Sequence, residues 1–260
     1  LSGLFDLAGD DVYLANNYAQ GVAMFGVGVL QDYVGDDKYY SKGFVQGGSA
    51  FGLGLLLDGK GDDTYQCNIY GQGFGYIKGL GCLSDKEGND DYVVKKDVVD
   101  MLRYDDHYES LSQGFGFGRR PYFSGGIGIL SDYSGNDSYI SDIYGQGSAY
   151  WYAIGGLVDH SGNDRYNSYQ YAQGSGVHLA FGVLTDYSGK DNYVSNGVSQ
   201  GCGHDYAFGG LLDYSGDDNY VCYDLSQGGG NANAISFFLD VNGDDGYIAK
   251  KGNVHGYSDW

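Results

Sequence analysis

Apolar and polar positions recur along this chain every 26 or 27 residues, and the same residues return at each recurrence. An apolar side chain stands at Leu4, Leu30, Leu56, Leu83, Leu130, Leu157, Leu184, Leu211 and Phe238. Two residues later comes Asp-x-x-Gly-x-Asp-x-Tyr, beginning at Asp6, Asp32, Asp58, Asp85, Asp132, Asp159, Asp186, Asp213 and Asp240. Its last residue is Tyr13, Tyr39, Tyr65, Tyr92, Tyr139, Tyr166, Tyr193, Tyr220 or Tyr247. A Gln-Gly pair follows, at Gln20, Gln46, Gln72, Gln113, Gln146, Gln173, Gln200 and Gln227, and the ninth copy stops before its own. Two residues past the Tyr the side chain is small or modest, as at Ala15, Ser41, Cys67 and Ser141, and a Gly usually lies four residues before the first Asp. Asp and Gly at these offsets are turn formers. Each unit is thus predicted to hold an Asp/Gly corner, a short strand at the Tyr, a Gln-Gly bend and a Gly-rich strand ending at the apolar residue.

A unit of this size cannot bury a core alone, whereas stacked units cover one another's backbone and apolar faces. In a β-solenoid equivalent positions form columns about 4.8 Å apart. Tyr rings and Gln amides, two of the recurring residue types, gain from self-stacking and amide ladders. The expected fold is all-β, a parallel β-solenoid (β-helix) of nine 26–27-residue coils, about 43 Å long at that spacing. It occupies residues 1–260 as one repeat domain with loop insertions within 94–124. The alternative makes each unit a hairpin, giving an antiparallel hairpin-repeat barrel or a propeller. A membrane barrel needs strictly alternating segments of about ten residues, and 138–147 does not alternate.

Composition narrows the function. Among 260 residues are 48 Gly, 28 Tyr and one Pro, which disfavours helix, collagen and disorder together. The net charge of −20 argues against nucleic acid and anionic membranes as partners, and no apolar run is long enough for membrane insertion. Of the 34 acidic residues, 32 are Asp, and 23 lie in the nine corners. Those 23 are the first Asp of each copy, the second (Asp11, Asp37, Asp63, Asp90, Asp137, Asp164, Asp191, Asp218, Asp245) and five neighbours (Asp10, Asp36, Asp62, Asp217, Asp244). Stacked carboxylates about 4.8 Å apart repel by roughly 3–4 kcal/mol per step at an effective dielectric near 20. Backbone N–H groups or bound cations must neutralise them, because Lys and Arg are scarce nearby. The 18 Asp at the two fixed positions are therefore candidate metal ligands, with Ca²⁺ as the candidate cofactor. Asx-turns at the corner are the bland alternative. Position five of the motif is Asp or Asn except at Lys190, so a cation held there should bind worst in the seventh coil.

Gly135-Asn136-Asp137-Ser138-Tyr139 and Gly162-Asn163-Asp164-Arg165-Tyr166 resemble the Gly-x-Asp-x-hydrophobic half of haemolysin-type (RTX) calcium repeats. That resemblance implies Ca²⁺ held between successive turns of a parallel β-roll, by Gly carbonyls and carboxylates such as those of Asp137 and Asp164. It covers about six residues of each unit. The chain departs from that family in its longer period and in reading Asp-x-x-Gly where the family has paired Gly. The whole unit is similar to uncharacterised bacterial repeat proteins that read Gly-Leu-Leu-x-Asp-x-x-Gly-Asp-Asp-x-Tyr and then Gln-Gly. That second resemblance spans nearly the entire chain and implies no activity.

The fourth copy carries 14 extra residues within 95–108 and six within 119–124. Lys95, Lys96, Arg103, Arg119 and Arg120 lie there, a candidate partner-binding loop. No catalytic residues are expected; the alternative is a polysaccharide lyase with Arg119 or Arg120 as base. The five His show no zinc spacing, the four Cys form no Cys-x-x-Cys pair, and Cys67 and Cys222, at the same repeat position, read as small interior residues. The expected role is a structural, extracellular or cell-surface rod for adhesion, scaffolding or fibre assembly. Its partners would be copies of itself, stacked head-to-tail or laterally, or another surface protein, since open solenoid ends pair with other chains.

Overall fold

In a computed structural model, residues 1–259 are described, and their strands stack into a parallel β-solenoid. One nine-stranded sheet runs from Ser2–Phe5 to Ile235–Asp240, and a second runs from Val12–Leu14 to Gly246–Ala249. Every strand pairs in parallel with the equivalent strand of the next coil, which excludes the hairpin barrel and the propeller. A narrower third ladder links Gly116–Phe117, Ala149–Tyr150, Gly176–Val177 and Gly203–His204. Among the described residues no helix is long and apolar enough to cross a membrane.

Register follows the repeat: Leu30 pairs with Leu56, Tyr39 with Tyr65 and Asp159 with Asp186. It survives the insertions, for Leu83 pairs with Leu130 and Tyr92 with Tyr139. Strand alternation turns Leu and Tyr inward from the two sheets, and together they form the main core. From Tyr39 to Tyr220 the recurring tyrosines are 0% exposed. Their rings stack in one column, with centroids 4.6–4.9 Å apart over those coils. The small residue past the Tyr is interior as expected, with Cys67 and Cys222 both buried.

The Gly-rich strand has a steric cause. The Gln-Gly bend folds directly onto it, so a Cβ on Gly182 would lie 2.1 Å from the Ser175 carbonyl oxygen. The Gln itself behaves differently from an amide ladder. Gln46 Nε2 donates to the Tyr39 carbonyl of its own coil (2.9 Å) and to the Gln66 carbonyl of the next (3.2 Å), tying neighbouring strands together. The ninth coil closes with His255-Gly256 in place of Gln-Gly, at φ 54° and 78° and with the Gly256 amide on the Gln227 carbonyl.

Candidate functional site

The Asp corner is an interior feature. In the first Asp column, Asp132, Asp159 and Asp186 each accept a turn amide two residues on, from Ser134, Ser161 and Ser188, at 3.1 Å on Oδ1. Their Oδ2 atoms accept the hydroxyl of the preceding coil's tyrosine: Tyr92, Tyr139 and Tyr166, each at 2.6 Å. In these three coils the Asx-turn thus satisfies one oxygen and the tyrosine hydroxyl the other, whereas Oδ1 of Asp85 and of Asp213 is buried without a partner. Stacking alone predicted a ring there; the signal for the hydroxyl was that all nine copies carry Tyr and none Phe.

The second column is held otherwise. Asp137 Oδ1 accepts the Asp90 amide at 2.6 Å, Asp164 Oδ1 accepts that of Asp137 at 2.6 Å, and Asp191 Oδ1 that of Asp164 at 2.6 Å. The other oxygen has no hydrogen-bond partner: Oδ2 of Asp37, Asp63, Asp90, Asp137, Asp164, Asp191 and Asp218 is buried and unpaired. These seven residues are at most 2% exposed. Asx-turns leave this column unexplained. The Gln Oε1 atoms are also unpaired, but a buried neutral amide oxygen costs far less than a buried carboxylate.

The stacking places each second-column Asp against both aspartates of the following coil. The groups Asp37/Asp58/Asp63, Asp63/Asp85/Asp90, Asp90/Asp132/Asp137 and Asp137/Asp159/Asp164 each bring three ligand oxygens within 4.8 Å of one another. Asp6, Asp11 and Asp32 form a similar group at the first coil. Each inner second-column Asp thus belongs to two groups, and the groups run as a continuous line inside the rod. At the other end Asp240 and Asp245 are half-buried. Asp186 and Asp213 keep the same place in the pairing.

Burial first, and then the charge of the first-column partner, push the second-column carboxyls far up. Asp63, Asp137 and Asp191 rise to about 9, Asp164 to about 10 and Asp90 to about 11. Asp37 and Asp218, nearer the ends, rise to about 7. Burial and the neighbouring carboxylates also hold the tyrosine hydroxyls protonated, as at Tyr139 and Tyr166, so they remain donors. Carboxyls in this state need a proton or a cation as partner. The clustered side chains offer oxygen ligands only, which suits a hard divalent ion and not zinc or copper.

The fifth motif position lies outside this line. Asp36, Asp62, Asn136 and Lys190 are exposed, and each amide there bonds the side-chain oxygen of the preceding coil, as Lys190 N does with Asn163 Oδ1 at 3.1 Å. Lys190 therefore marks no weak site in the buried line.

The basic residues of the insertions do different things. Arg103 is half-buried, with Nε 2.6 Å from Oδ2 of buried Asp100 and a nitrogen donating to the Tyr144 hydroxyl at 2.6 Å, so it anchors its own loop. His107, 2.9 Å from Asp142, and Tyr104 on Gln170 add to that anchor. Lys95 and Lys96 are exposed, and Lys96 Nζ holds the Asp106 carbonyl within the loop. Arg119 and Arg120 are exposed on the second insertion, where Arg120 donates to His178 Nε2 at 3.2 Å and lies 5.2 Å from the Trp151 ring. No protein-family model, curated protein or solved structure matches this chain.

Proposed function

We propose that the chain is a structural repeat protein, a rigid β-solenoid held along its length by Ca²⁺. The observation that carries this reading is the line of buried, unpaired Asp Oδ2 atoms, one in each inner coil. Asp58, Asp85, Asp132 and Asp159 with Asp63, Asp90, Asp137 and Asp164 would hold the ions, and the ions would cancel like charges packed between coils. Calcium fits the all-oxygen donor set, and Ca²⁺ sites of extracellular modules bind at about 10⁻⁴–10⁻³ M. That range suits a cell-surface or extracellular location.

A cation-hardened rod suits adhesion, scaffolding or assembly. Head-to-tail contact between copies has a specific chemistry. From Tyr13 to Tyr193 each tyrosine hydroxyl reaches the next coil's first Asp, as Tyr13 does with Asp32 at 2.5 Å, whereas Tyr220 turns back on its own Asp213 at 2.9 Å. The Tyr247 hydroxyl likewise turns back on its own Asp240 at 2.7 Å, with no further coil above it in this chain, and Asp6 and Asp11 form an acceptor pair at the first coil. A copy stacked in register would let Tyr247 reach Asp6. Thermal unfolding with Ca²⁺ and with EDTA tests the cation reading. A site at 100 times its dissociation constant adds about 2.7 kcal/mol, so several sites should raise the melting temperature steeply. An identical melting curve in EDTA would leave protons as the neutralising partner and overturn the Ca²⁺ reading.

A further inference from the structure

Beside the Leu and Tyr columns a second cluster, rich in aromatic rings, runs along the rod from Phe44 to Tyr171. Many of its members stand two before, two after or four after a repeat Gln. At Phe44, Tyr70, Phe74, Tyr76 and Phe117 it opens into a cavity of 170 Å³ walled by five aromatic rings. Phe44 and Phe74 stand perpendicular, with centroids 5.7 Å apart, and Tyr76 and Phe117 lie 5.6 Å apart. No lining residue carries a charge.

Further along, the same cluster already holds a cation. Tyr144 and Tyr150 are the repeat equivalents of Tyr70 and Tyr76, each pair standing two before and four after its Gln. The Arg103 guanidinium lies 4.9 Å from the Tyr144 ring centroid and 5.5 Å from that of Tyr171. Ring faces attract such a cation through their quadrupole. Two coils away, no side chain of this chain plays that part for Tyr70 and Tyr76 among the described contacts.

We propose that the cavity at Tyr70, Phe74 and Phe117 binds a quaternary ammonium group. Charge and hydrogen bonding select this chemistry. The net charge of −20 draws cations to the surface and repels anions. Locally, the Glu109 carboxylate, 3.9 Å from the Arg103 guanidinium, adds negative charge that acts on the Tyr70 hydroxyl. Arg103 satisfies its N–H groups on Asp100 and on the Tyr144 hydroxyl, each at 2.6 Å, whereas the five cage residues offer two hydroxyls and no carboxylate. A primary ammonium or guanidinium would lose hydrogen bonds there. A fully alkylated nitrogen has none to lose, and its methyl groups fill an aromatic wall. An engineered apolar cavity of about 150 Å³ accepts a benzene ring, so the space is the right order for one head group.

The binding site is independent of the buried aspartates. Calorimetric titration with choline, and with its neutral isostere 3,3-dimethylbutan-1-ol, tests it on the full chain in Ca²⁺. Choline should saturate one site, and the alcohol should bind at least tenfold more weakly, since only the charge distinguishes them. Equal binding of the two, or no saturable choline binding at millimolar concentrations, would overturn the proposal. Phe117→Leu and Tyr76→Leu keep apolar volume and should weaken choline at least tenfold, whereas Phe181→Leu on an outward strand position should not. If the leucine variants fail to fold, Glu109→Gln serves instead and should weaken choline without touching the cage; unchanged affinity there would count against the charge argument. Vesicles of phosphatidylcholine against phosphatidylglycerol then separate a lipid source from a free one. Recovery on the first alone assigns a lipid head group, and recovery on neither assigns a free one; recovery on phosphatidylglycerol vesicles would overturn quaternary ammonium selectivity.

Discussion

A tyrosine in this repeat does two jobs, and one substitution separates them. Tyr166→Phe keeps the ring between Tyr139 and Tyr193, at 4.8 and 4.6 Å, but removes the hydroxyl from Asp186 Oδ2. A buried acceptor left unpaired costs about 1–3 kcal/mol, more for a charged one. Chemical denaturation in EDTA should show a loss of that size, while Tyr187→Phe on the surface should change little. Asp164→Asn tests the second column from the opposite side. Asn keeps an Oδ1 acceptor for the Asp137 amide and replaces the unpaired oxygen with a donor. In EDTA its melting point should be unchanged or higher, and its gain from Ca²⁺ should shrink; a large loss in EDTA would show that the carboxylate itself holds the fold. The titration has a definite sign. An unfolded Asp loses its proton near pH 4, whereas Asp63 and Asp137 folded keep theirs to about 9 and Asp90 to about 11. Their stabilisation is whole below about pH 4 and is lost as pH rises toward 9–11. Metal-free protein should therefore melt lower at pH 9 than at pH 5, and Ca²⁺, which binds the ionised form, should protect most at the higher pH.

Each coil element is set by what touches it. Gly174 has φ 74°, and a Cβ there would lie 2.0 Å from the Gly210 carbonyl oxygen. Gly156 sits on a strand with its nearest new contact at 4.0 Å. Gly174→Ala should cost several kcal/mol through strain and backbone displacement, whereas Gly156→Ala should be neutral or stabilising through a less flexible unfolded chain. Melting of the two variants side by side checks the pair. The insertions are elements of another kind, each closed by a lone antiparallel bridge, Val99 with Tyr108 and Arg119 with Phe123. Arg103→Ala strips the partner from Asp100, which is 0% exposed. Hydrogen exchange should speed up across 95–108 and stay slow in the flanking strands, because the solenoid register passes beneath the loop unbroken. Deleting 95–108 and finding unchanged assembly would remove the loop from partner binding.

Over the whole rod, identical coil contacts repeat, so stability accumulates as a sum of neighbour terms. Small-angle scattering should give a long dimension near 43 Å for nine coils at the inter-strand spacing, and a multiple of it for end-to-end copies. The repeat period, Leu and Tyr as core columns, the parallel stack and the two Asp columns all follow from sequence. A 27-residue unit cannot bury its apolar positions alone, and an in-register stack turns each recurring residue into a line. Nor could local sequence tell where each carboxylate oxygen would go. Whether Tyr reaches its own Asp or the next coil's depends on the stagger between coils, and from Tyr13 to Tyr193 the structure sets it to the next. That stagger gives the Oδ2 of Asp132, Asp159 and Asp186 its hydroxyl donor, and buries the Oδ2 of Asp137 and Asp164 without a partner. The same holds for Phe44, Tyr70 and Phe117, scattered over three copies and unremarkable in each. Only the bend between stacked coils gathers them into one cavity, because side chains on different coils become neighbours through the stack and not through the chain.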